Sequence, residues 1–420
     1  MFLFYLLVLS LPLTQHYALS YTLGGVTVAK LLGAVCMPMA LIHAAGKRRI
    51  PGGLCQPGAL LCVAYFLLAM ISYFIAYGLA WDASGPQNNV LSILVLLLVT
   101  VAVVDSVERL RWTLLMMVGS VAIASVYAIR EWLAWGHAVL GYRPGGVSGD
   151  ANYFGTAAAA SLPVAFVLLQ TRCRRWEKLY LITCFGLTLF AFGLAASRGG
   201  LMGAVVGFLL IFIKSRRKFR SLVLATGLVI PLLAVTPNSP VERLLNPDYG
   251  SQVAVAARET TWRAGWQMFQ DHPLFGVGLA RFKTVVLQYE DSMAALQVQS
   301  LAHNTYIEVA AEQGLLGFLP FVATLIAAYL TLERAFRLTA KAELPFLNQA
   351  CIAIQAALLA AWVGAFFVSA WWFRFYWFPV FLAVCFEPIA RTVIRKKRLA
   401  LAVEREGIKQ PDWAGVHVNA

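Results

Sequence analysis

The residues best suited to chemistry are one histidine and several arginines gathered in and just after residues 237–302. This stretch is too polar, and too often broken by Pro and Gly, to cross a bilayer, and it carries Arg258 and Arg263. It leads into His303, which precedes a strongly apolar segment. Long loops of this kind usually carry function. An imidazole beside guanidinium groups at a membrane surface predicts chemistry on an anionic, lipid-linked substrate.

The sequence after His303 predicts that its imidazole is neutral. Thr305, followed by Glu308, forms a capping-box pattern, so a helix is expected to start there. His303 then lies two residues before the cap, at the positive end of the helix dipole, which lowers the pKa of an imidazole. A neutral imidazole is what a general base requires. The alternative is a histidine that only bonds a loop carbonyl.

Arg198 is the second candidate, in a short hairpin between two apolar spans and followed by Gly199 and Gly200. Ionisable residues at membrane depth are rare and usually functional, and glycines let a ligand approach the backbone. The alternative is an arginine that extends to the membrane interface. We expect Arg198 to bind an anionic group.

Acidic residues outside the predicted spans are too sparse to predict a metal site. Asp82 stands alone, and Glu290 with Asp291 is the one adjacent acidic pair in the outer loops. Glu308 and Glu312 share a helix face but are better explained as a cap and a buried polar contact. We therefore expect neither a metal nor a cofactor.

Membrane spans must position these residues. The chain is 60% hydrophobic and 13% charged, with a mean hydropathy of +0.72, which predicts an all-α polytopic membrane protein. About twelve apolar windows are long enough to span. They are residues 2–20, 22–45, 58–78, 89–105, 112–133, 153–170, 178–196, 200–213, 221–236, 306–332, 350–369 and 374–390.

Basic residues predict the orientation. With a cytoplasmic N-terminus, 24 of the 34 Lys and Arg residues fall in inner segments, as the positive-inside rule requires. The +14 charge is thereby explained by topology, and no nucleic-acid motif is present. The expected organisation is nine spans in residues 1–236, an outer loop with short helices in 237–305, three spans in 306–390 and a cytoplasmic tail in 391–420.

Two aromatic groups accompany the outer segments. In the long loop, a helix predicted over residues 259–270 carries Trp262, Trp266 and Phe269 on one face. The aromatic residues around Arg374 are interpreted as a belt at the membrane interface.

An ordered set of motifs resembles the O-antigen ligase and polymerase superfamily of bacterial membrane enzymes. The resemblance runs from Arg143 to Gly317 and takes in the two arginine regions and the histidine already described. Its pieces are Arg143 with Asp150-Ala151-Asn152, Ser197-Arg198-Gly199-Gly200, Arg258 with Trp262, His272-Pro273-Leu274-Phe275-Gly276-Val277-Gly278, Phe282, and His303-Asn304 with Glu312-Gln313-Gly314-Leu315-Leu316-Gly317.

The resemblance implies a GT-C-like fold and a reaction at the periplasmic face of the bacterial inner membrane. The donor would be a glycan linked to undecaprenyl diphosphate, and the acceptor of a ligase a sugar of the lipid A core. His303 would be the catalytic base, and Arg198 with Arg258 or Arg263 would bind the diphosphate. The family's Arg–Trp spacing favours Arg258. The secondary site residues would be Arg143, Asn152, Asn304 and Glu312.

Three other functions remain open. The same motifs occur in O-antigen or exopolysaccharide polymerases and in ligases that glycosylate proteins, which are typically longer at the C-terminus. A polysaccharide flippase or other transporter would carry charges inside the bundle and an internal repeat. Lys30 is the one mid-span candidate, and no repeat is found.

The predicted orientation can be tested at Ser251, which lies in the predicted outer loop. We expect the thiol of a Ser251→Cys variant, in a background without other cysteines, to react with a membrane-impermeant maleimide in intact spheroplasts. A thiol that reacts only after the membrane is opened would reverse the topology.

Overall fold

The structure, a computed structural model of the 420-residue chain, describes residues 1–13, 27–46, 51–79, 85–136, 138–139, 141–215, 249–290 and 300–405. Within these ranges every regular element is helical, with two short 3-10 turns at Gly146–Ser148 and Val286–Gln288. The α-helices are α1 (Phe2–Ser10), α2 (Val28–Gly46), α3 (Pro57–Tyr77), α4 (Gln87–Val103), α5 (Val107–Trp135), α6 (Ala151–Leu169), α7 (Arg175–Ala195), α8 (Arg198–Lys214), α9 (Tyr249–Asp271), α10 (Phe282–Val285), α11 (Thr305–Lys341), α12 (Pro345–Gly364) and α13 (Arg374–Arg405).

Most of the predicted spans are present as helices. Among the described residues, eight helices (α2, α3, α5, α6, α7, α11, α12 and α13) are long and apolar enough to cross a membrane, and α4 is a shorter apolar helix. The all-α polytopic fold class is therefore confirmed. The span predicted at 221–236 lies outside the described residues, so the number twelve stays a prediction.

Basic side chains collect at one end of the bundle, here called the basic end. Arg111 at the start of α5 pairs with Glu177 at the start of α7 at 2.6 Å. Lys214 at the end of α8 pairs with Glu333 in α11. The Nζ of Lys397 in α13 donates to the carbonyl of the residue that follows α11. The loops that charge alone assigned to one side of the membrane thus share one end wherever the structure describes them.

The opposite end, here called the site end, contains the starts of α6, α8, α11 and α13. Lys30, in the first turn of α2, belongs to this end as well, because it interacts electrostatically with Arg374 at the start of α13. The prediction of a mid-span charge at Lys30 is therefore wrong, since the residue lies in the first turn of its helix.

Helix α11 is interrupted near the site end. Gly314 has φ 59° and ψ −162°, a conformation that glycine alone adopts readily, and the helix resumes after it. The backbone groups at the break bond to residues 273–278 instead. The bonds are Val277 N to Ala311 O at 2.9 Å, Gly278 N to Glu312 O at 2.9 Å, Leu315 N to Pro273 O at 2.8 Å and Leu316 N to Leu274 O at 3.2 Å.

This pairing explains why two of the sequence motifs occur together. The segment after α9 satisfies the backbone groups that the break in α11 exposes, which an apolar medium requires. Helix α3 joins them, because the Ser72 hydroxyl lies 3.0 Å from the carbonyl oxygen of Glu312 and 3.2 Å from that of Phe275. The break therefore fixes the chain between α9 and α11 to the bundle.

A single methyl group at Gly314 is expected to disrupt this joint. A Cβ there would lie 2.4 Å from the carbonyl carbon of Leu274, in addition to the unfavourable φ. The backbone strain alone predicts that Gly314→Ala lowers the free energy of unfolding by about 1–3 kcal/mol. Reversible unfolding in mixed micelles measures it.

The matched control for that prediction is Gly186→Ala in α7. A Cβ at Gly186 meets nothing within 4 Å. In a regular helix the change is expected to be neutral or to stabilise by up to about 1 kcal/mol. Equal stability of the two variants would contradict the described role of the break.

Candidate active site

The hairpin between α7 and α8 is held by a network of neutral and charged hydrogen bonds. Arg143 donates from Nε to Ala195 O at 2.9 Å and from Nη2 to Asn152 Oδ1 at 2.8 Å. The Ser197 hydroxyl lies 3.3 Å from the same Asn152 oxygen, and it caps α8. Arg198, the first residue of α8, is half-buried. Arg143 and Asn152 therefore position Arg198.

Asp150 fixes the start of α6 beside this hairpin. Its carboxylate accepts hydrogen bonds from the backbone N–H groups of Asn152 at 2.7 Å and Tyr153 at 3.2 Å, which is an N-cap. The carboxylate also acts electrostatically on two more distant groups, Arg258 and His303. Asp150 was not predicted as a site residue, although it belongs to the Asp150-Ala151-Asn152 motif. Its Asp-Ala-Asn position before an apolar run was a readable N-cap signal.

The cap of α11 is Asn304, so the predicted capping box at Thr305 and Glu308 is wrong. The Asn304 Oδ1 accepts from the N–H groups of Tyr306 at 3.0 Å and Ile307 at 3.2 Å. Asn304, proposed as a secondary site residue, thereby has a structural role.

Thr305 and Glu308 instead bind the connection between α12 and α13. The Thr305 hydroxyl donates to Val368 O at 2.7 Å and accepts from Ala370 N at 2.8 Å. Glu308 accepts from Trp371 Nε1 at 2.8 Å and from a serine hydroxyl of the same connection. Residues 365–373 are thus anchored to the first turns of α11, next to His303.

His303 immediately precedes the Asn304 cap, in an unusual backbone conformation. Its φ of 48° lies in the left-handed region, which non-glycine residues adopt rarely and at some cost. The side chain is half-buried. The neighbouring Ala302 carbonyl accepts a hydrogen bond from Trp262 Nε1 at 2.8 Å, so α9 is attached next to His303.

Arg258 lies one turn before Trp262 on α9 and is half-buried. Burial lowers the pKa of its guanidinium, the positive charge of Arg198 lowers it further, and Asp150 opposes both effects. Burial likewise lowers the pKa of His303, with Arg258 as the next cause and Asp150 again opposed. The four residues therefore form one electrostatic group, here called the arginine–histidine cluster.

The sequence predicts a neutral imidazole at His303 from the helix dipole, and in the structure burial and the charge of Arg258 lower its pKa. The outcome is the same, a neutral imidazole able to accept a proton near neutral pH.

Arg263 lies outside the cluster. Its side chain is 66% exposed and lies 3.6 Å from Glu259, one turn back on α9. Between the two candidates for the second phosphate-binding arginine, the geometry therefore favours Arg258.

Glu312 is scaffold in this structure. It is 1% exposed, and its Oε1 accepts from the N–H of Phe282 at 3.0 Å. Within the described residues no group of three or more His, Cys, Asp or Glu side chains is arranged to hold a metal ion.

Comparison with known families bears on the same residues. A family model described as O-Antigen ligase (Wzy_C) matches residues 183–322, which contain Arg198, Arg258 and His303. The match covers 140 of the 420 residues and supports the resemblance to the O-antigen ligase superfamily. Together with the apolar helices, it supports a multi-pass membrane protein. No curated protein matches the chain.

The pKa of His303 can be read by NMR of the ring-labelled protein. It should lie below the ordinary value of about 6.5. Arg258→Gln removes a charge that disfavours the imidazolium, so the titration midpoint should move to higher pH. Asp150→Asn removes a charge that favours it, so the midpoint should move to lower pH.

Two further variants complete this titration. His303→Gln assigns the signal among the six histidines. Arg263→Gln is the matched control, because Arg263 is exposed and paired with Glu259, and it should leave the midpoint in place. Equal movement of the midpoint in the Arg258 and Arg263 variants would show that Arg258 has no specific effect on His303, and it would contradict the arginine–histidine cluster.

Proposed function

We propose that this protein transfers an O-antigen polysaccharide from undecaprenyl diphosphate to a sugar of the lipid A core, at the periplasmic face of the inner membrane. The observation that carries the proposal is the arginine–histidine cluster. It brings Arg198, Arg258 and a neutral His303 together at the site end of a membrane bundle.

The two arginines suit a diphosphate. The charge of Arg198 lowers the pKa of the half-buried Arg258, so a multiply charged anion that binds both guanidinium groups would stabilise them. The planar fork of arginine binds phosphate oxygens in pairs, so it can neutralise the charge that develops on the leaving diphosphate without a metal ion.

His303 suits the acceptor hydroxyl. In the proposed step the hydroxyl oxygen forms a bond to the anomeric carbon while the bond from that carbon to the phosphate oxygen breaks. The electron pair leaves with the diphosphate, and the hydroxyl proton moves to the imidazole. Asp150 stabilises the imidazolium that results. A single displacement of this kind inverts the anomeric configuration.

The side of the membrane follows from charge. The cluster lies at the end opposite the basic side chains, which the positive-inside rule assigns to the cytoplasm. Outside the cytoplasm no nucleotide sugar is supplied, so a preactivated lipid-linked donor is needed to drive transfer.

A polymerase is the second candidate, because the matched family includes both reactions. It would use the same donor site but a second lipid-linked glycan as acceptor. Lipopolysaccharide from a deletion strain separates the two functions. Loss of all capping of the core indicates a ligase, whereas capping with single repeat units indicates a polymerase.

Purified protein with a lipid-linked donor and a lipid A-core acceptor tests the mechanism. Arg198→Ala and Arg258→Ala should nearly abolish donor binding, since one charged contact in a water-poor site contributes about 2–5 kcal/mol. His303→Ala should bind the donor but lose transfer by about 100- to 10,000-fold, the usual range for a general base.

The controls separate charge from position. Lys283→Ala, on an exposed residue of α10, should behave as the wild type. Arg258→Lys should recover little donor binding relative to Arg258→Ala, because lysine lacks the bidentate geometry of arginine. Transfer that EDTA abolishes and magnesium restores would contradict the metal-independent step, and a His303→Ala variant at the wild-type rate would contradict the base.

A further inference from the structure

A second arginine site lies at the site end, away from the arginine–histidine cluster. Arg374, the first residue of α13, is only 5% exposed. Its Nε donates to the Ser92 hydroxyl of α4 at 3.0 Å, and its Nη2 is buried without a hydrogen-bond partner. Among the described residues, no carboxylate lies within ion-pair distance of it.

This arrangement corrects the interpretation of the surrounding aromatic residues as a belt. Trp371, Phe373, Phe375 and Trp377 are each at most 3% exposed, so they line the protein interior and do not face lipid. They flank Arg374 in the chain and are buried together with it. A buried guanidinium with an unsatisfied N–H group is costly, and an anion that accepts from that group removes the cost.

A second cation lies near Arg374 on another helix. Lys30, in the first turn of α2, interacts electrostatically with Arg374. Helix α4 packs against both α2 and α13 and supplies Ser92, whose hydroxyl also donates to Asn89 O at 2.8 Å. Ser92 therefore orients the guanidinium of Arg374, and an anion bound beside the two like charges would stabilise both.

The two cationic sites are separated by the connection between α12 and α13. The ring of Trp372 lies 5.4 Å from that of Tyr153, which directly follows Asn152 of the first site. Trp371 bonds to Glu308, one turn into the helix that follows His303. The same short segment thus contacts the surroundings of His303 on one side and leads into Arg374 on the other.

We propose that Arg374 and Lys30 form a second anion site, in which Ser92 orients the guanidinium and which binds a phosphate group of a lipid in the same leaflet as the donor. The inference rests on the proposed function, because a transferase with a lipid acceptor must hold two anionic lipids at one face. The phosphate comes either from the acceptor glycolipid or from a glycerophospholipid headgroup, and the experiment distinguishes these sources.

The test measures binding without a donor, so it is independent of transfer. The full-length protein is placed in phosphatidylcholine nanodiscs, and Kd is measured for phosphorylated lipid A-core, the same lipid after phosphatase treatment, and phosphatidylglycerol. Arg374→Gln should weaken the binding of phosphorylated lipid A-core at least about tenfold, as expected for loss of a charged hydrogen bond. The wild type should bind the dephosphorylated lipid as weakly as Arg374→Gln binds the phosphorylated one.

Variants keep the test decisive. Lys30→Gln should also weaken binding and serves where Arg374→Gln does not fold. Lys283→Gln is the exposed control and should bind as the wild type. Arg198→Ala should lose the undecaprenyl diphosphate donor yet keep lipid A-core, so failure of the donor site and of this site are distinguishable.

Each result of the binding measurements either supports or contradicts the second anion site. Preference for lipid A-core over phosphatidylglycerol identifies the acceptor as the ligand, and equal binding that both variants weaken identifies a phospholipid headgroup. Unchanged binding in Arg374→Gln and Lys30→Gln would overturn the proposal.

Discussion

Repulsion between like charges is the constraint on which the site end depends. Two unit charges 4 Å apart in a medium of effective dielectric constant about 20 repel by about 4 kcal/mol, and a neutral hydrogen bond contributes about 1 kcal/mol. Holding Arg198 and Arg258 near each other without a ligand therefore needs several well-made bonds around them. The bonds of Arg143, Ser197 and Trp262 to Asn152, Ala195 and Ala302 supply that support. The two guanidinium groups held in this way attract an anion.

The same end of the bundle solves a second problem, the satisfaction of irregular backbone in an apolar medium. The break at Gly314 exposes backbone groups, and residues 273–278 bond to them. The side chains of Thr305 and Glu308 likewise form hydrogen bonds with polar groups of the connection between α12 and α13. Segments far apart in the chain therefore support one another, and none would hold its shape alone. Arginines on α8 and α9 and a histidine before α11 reach one place because of these contacts.

Much of this could be predicted from sequence, since hydropathy and charge act locally. Eight of the predicted spans correspond to long apolar helices, and the basic loops described by the structure share one end. Arg198 and His303 stood out because each interrupts an apolar pattern.

The rest depended on partners that the chain order does not reveal. Thr305 and Glu308 fit a capping box, but their side chains form hydrogen bonds with residues near position 370 instead. The family's Arg–Trp spacing favours Arg258 over Arg263, but the physical difference between them comes from the packing of α9, which buries Arg258 and exposes Arg263. The aromatic run near Arg374 has belt composition, yet it is enclosed by other helices.

A structure of the protein with undecaprenyl diphosphate bound would show directly whether the arginine–histidine cluster is the donor site. We expect the diphosphate to lie between Arg198 and Arg258, with guanidinium nitrogens about 2.7–2.9 Å from phosphate oxygens. The imidazole of His303 should face the space beyond the leaving oxygen. A diphosphate bound at Arg374 and Lys30, or at Arg263, with the arginine–histidine cluster empty would contradict this assignment.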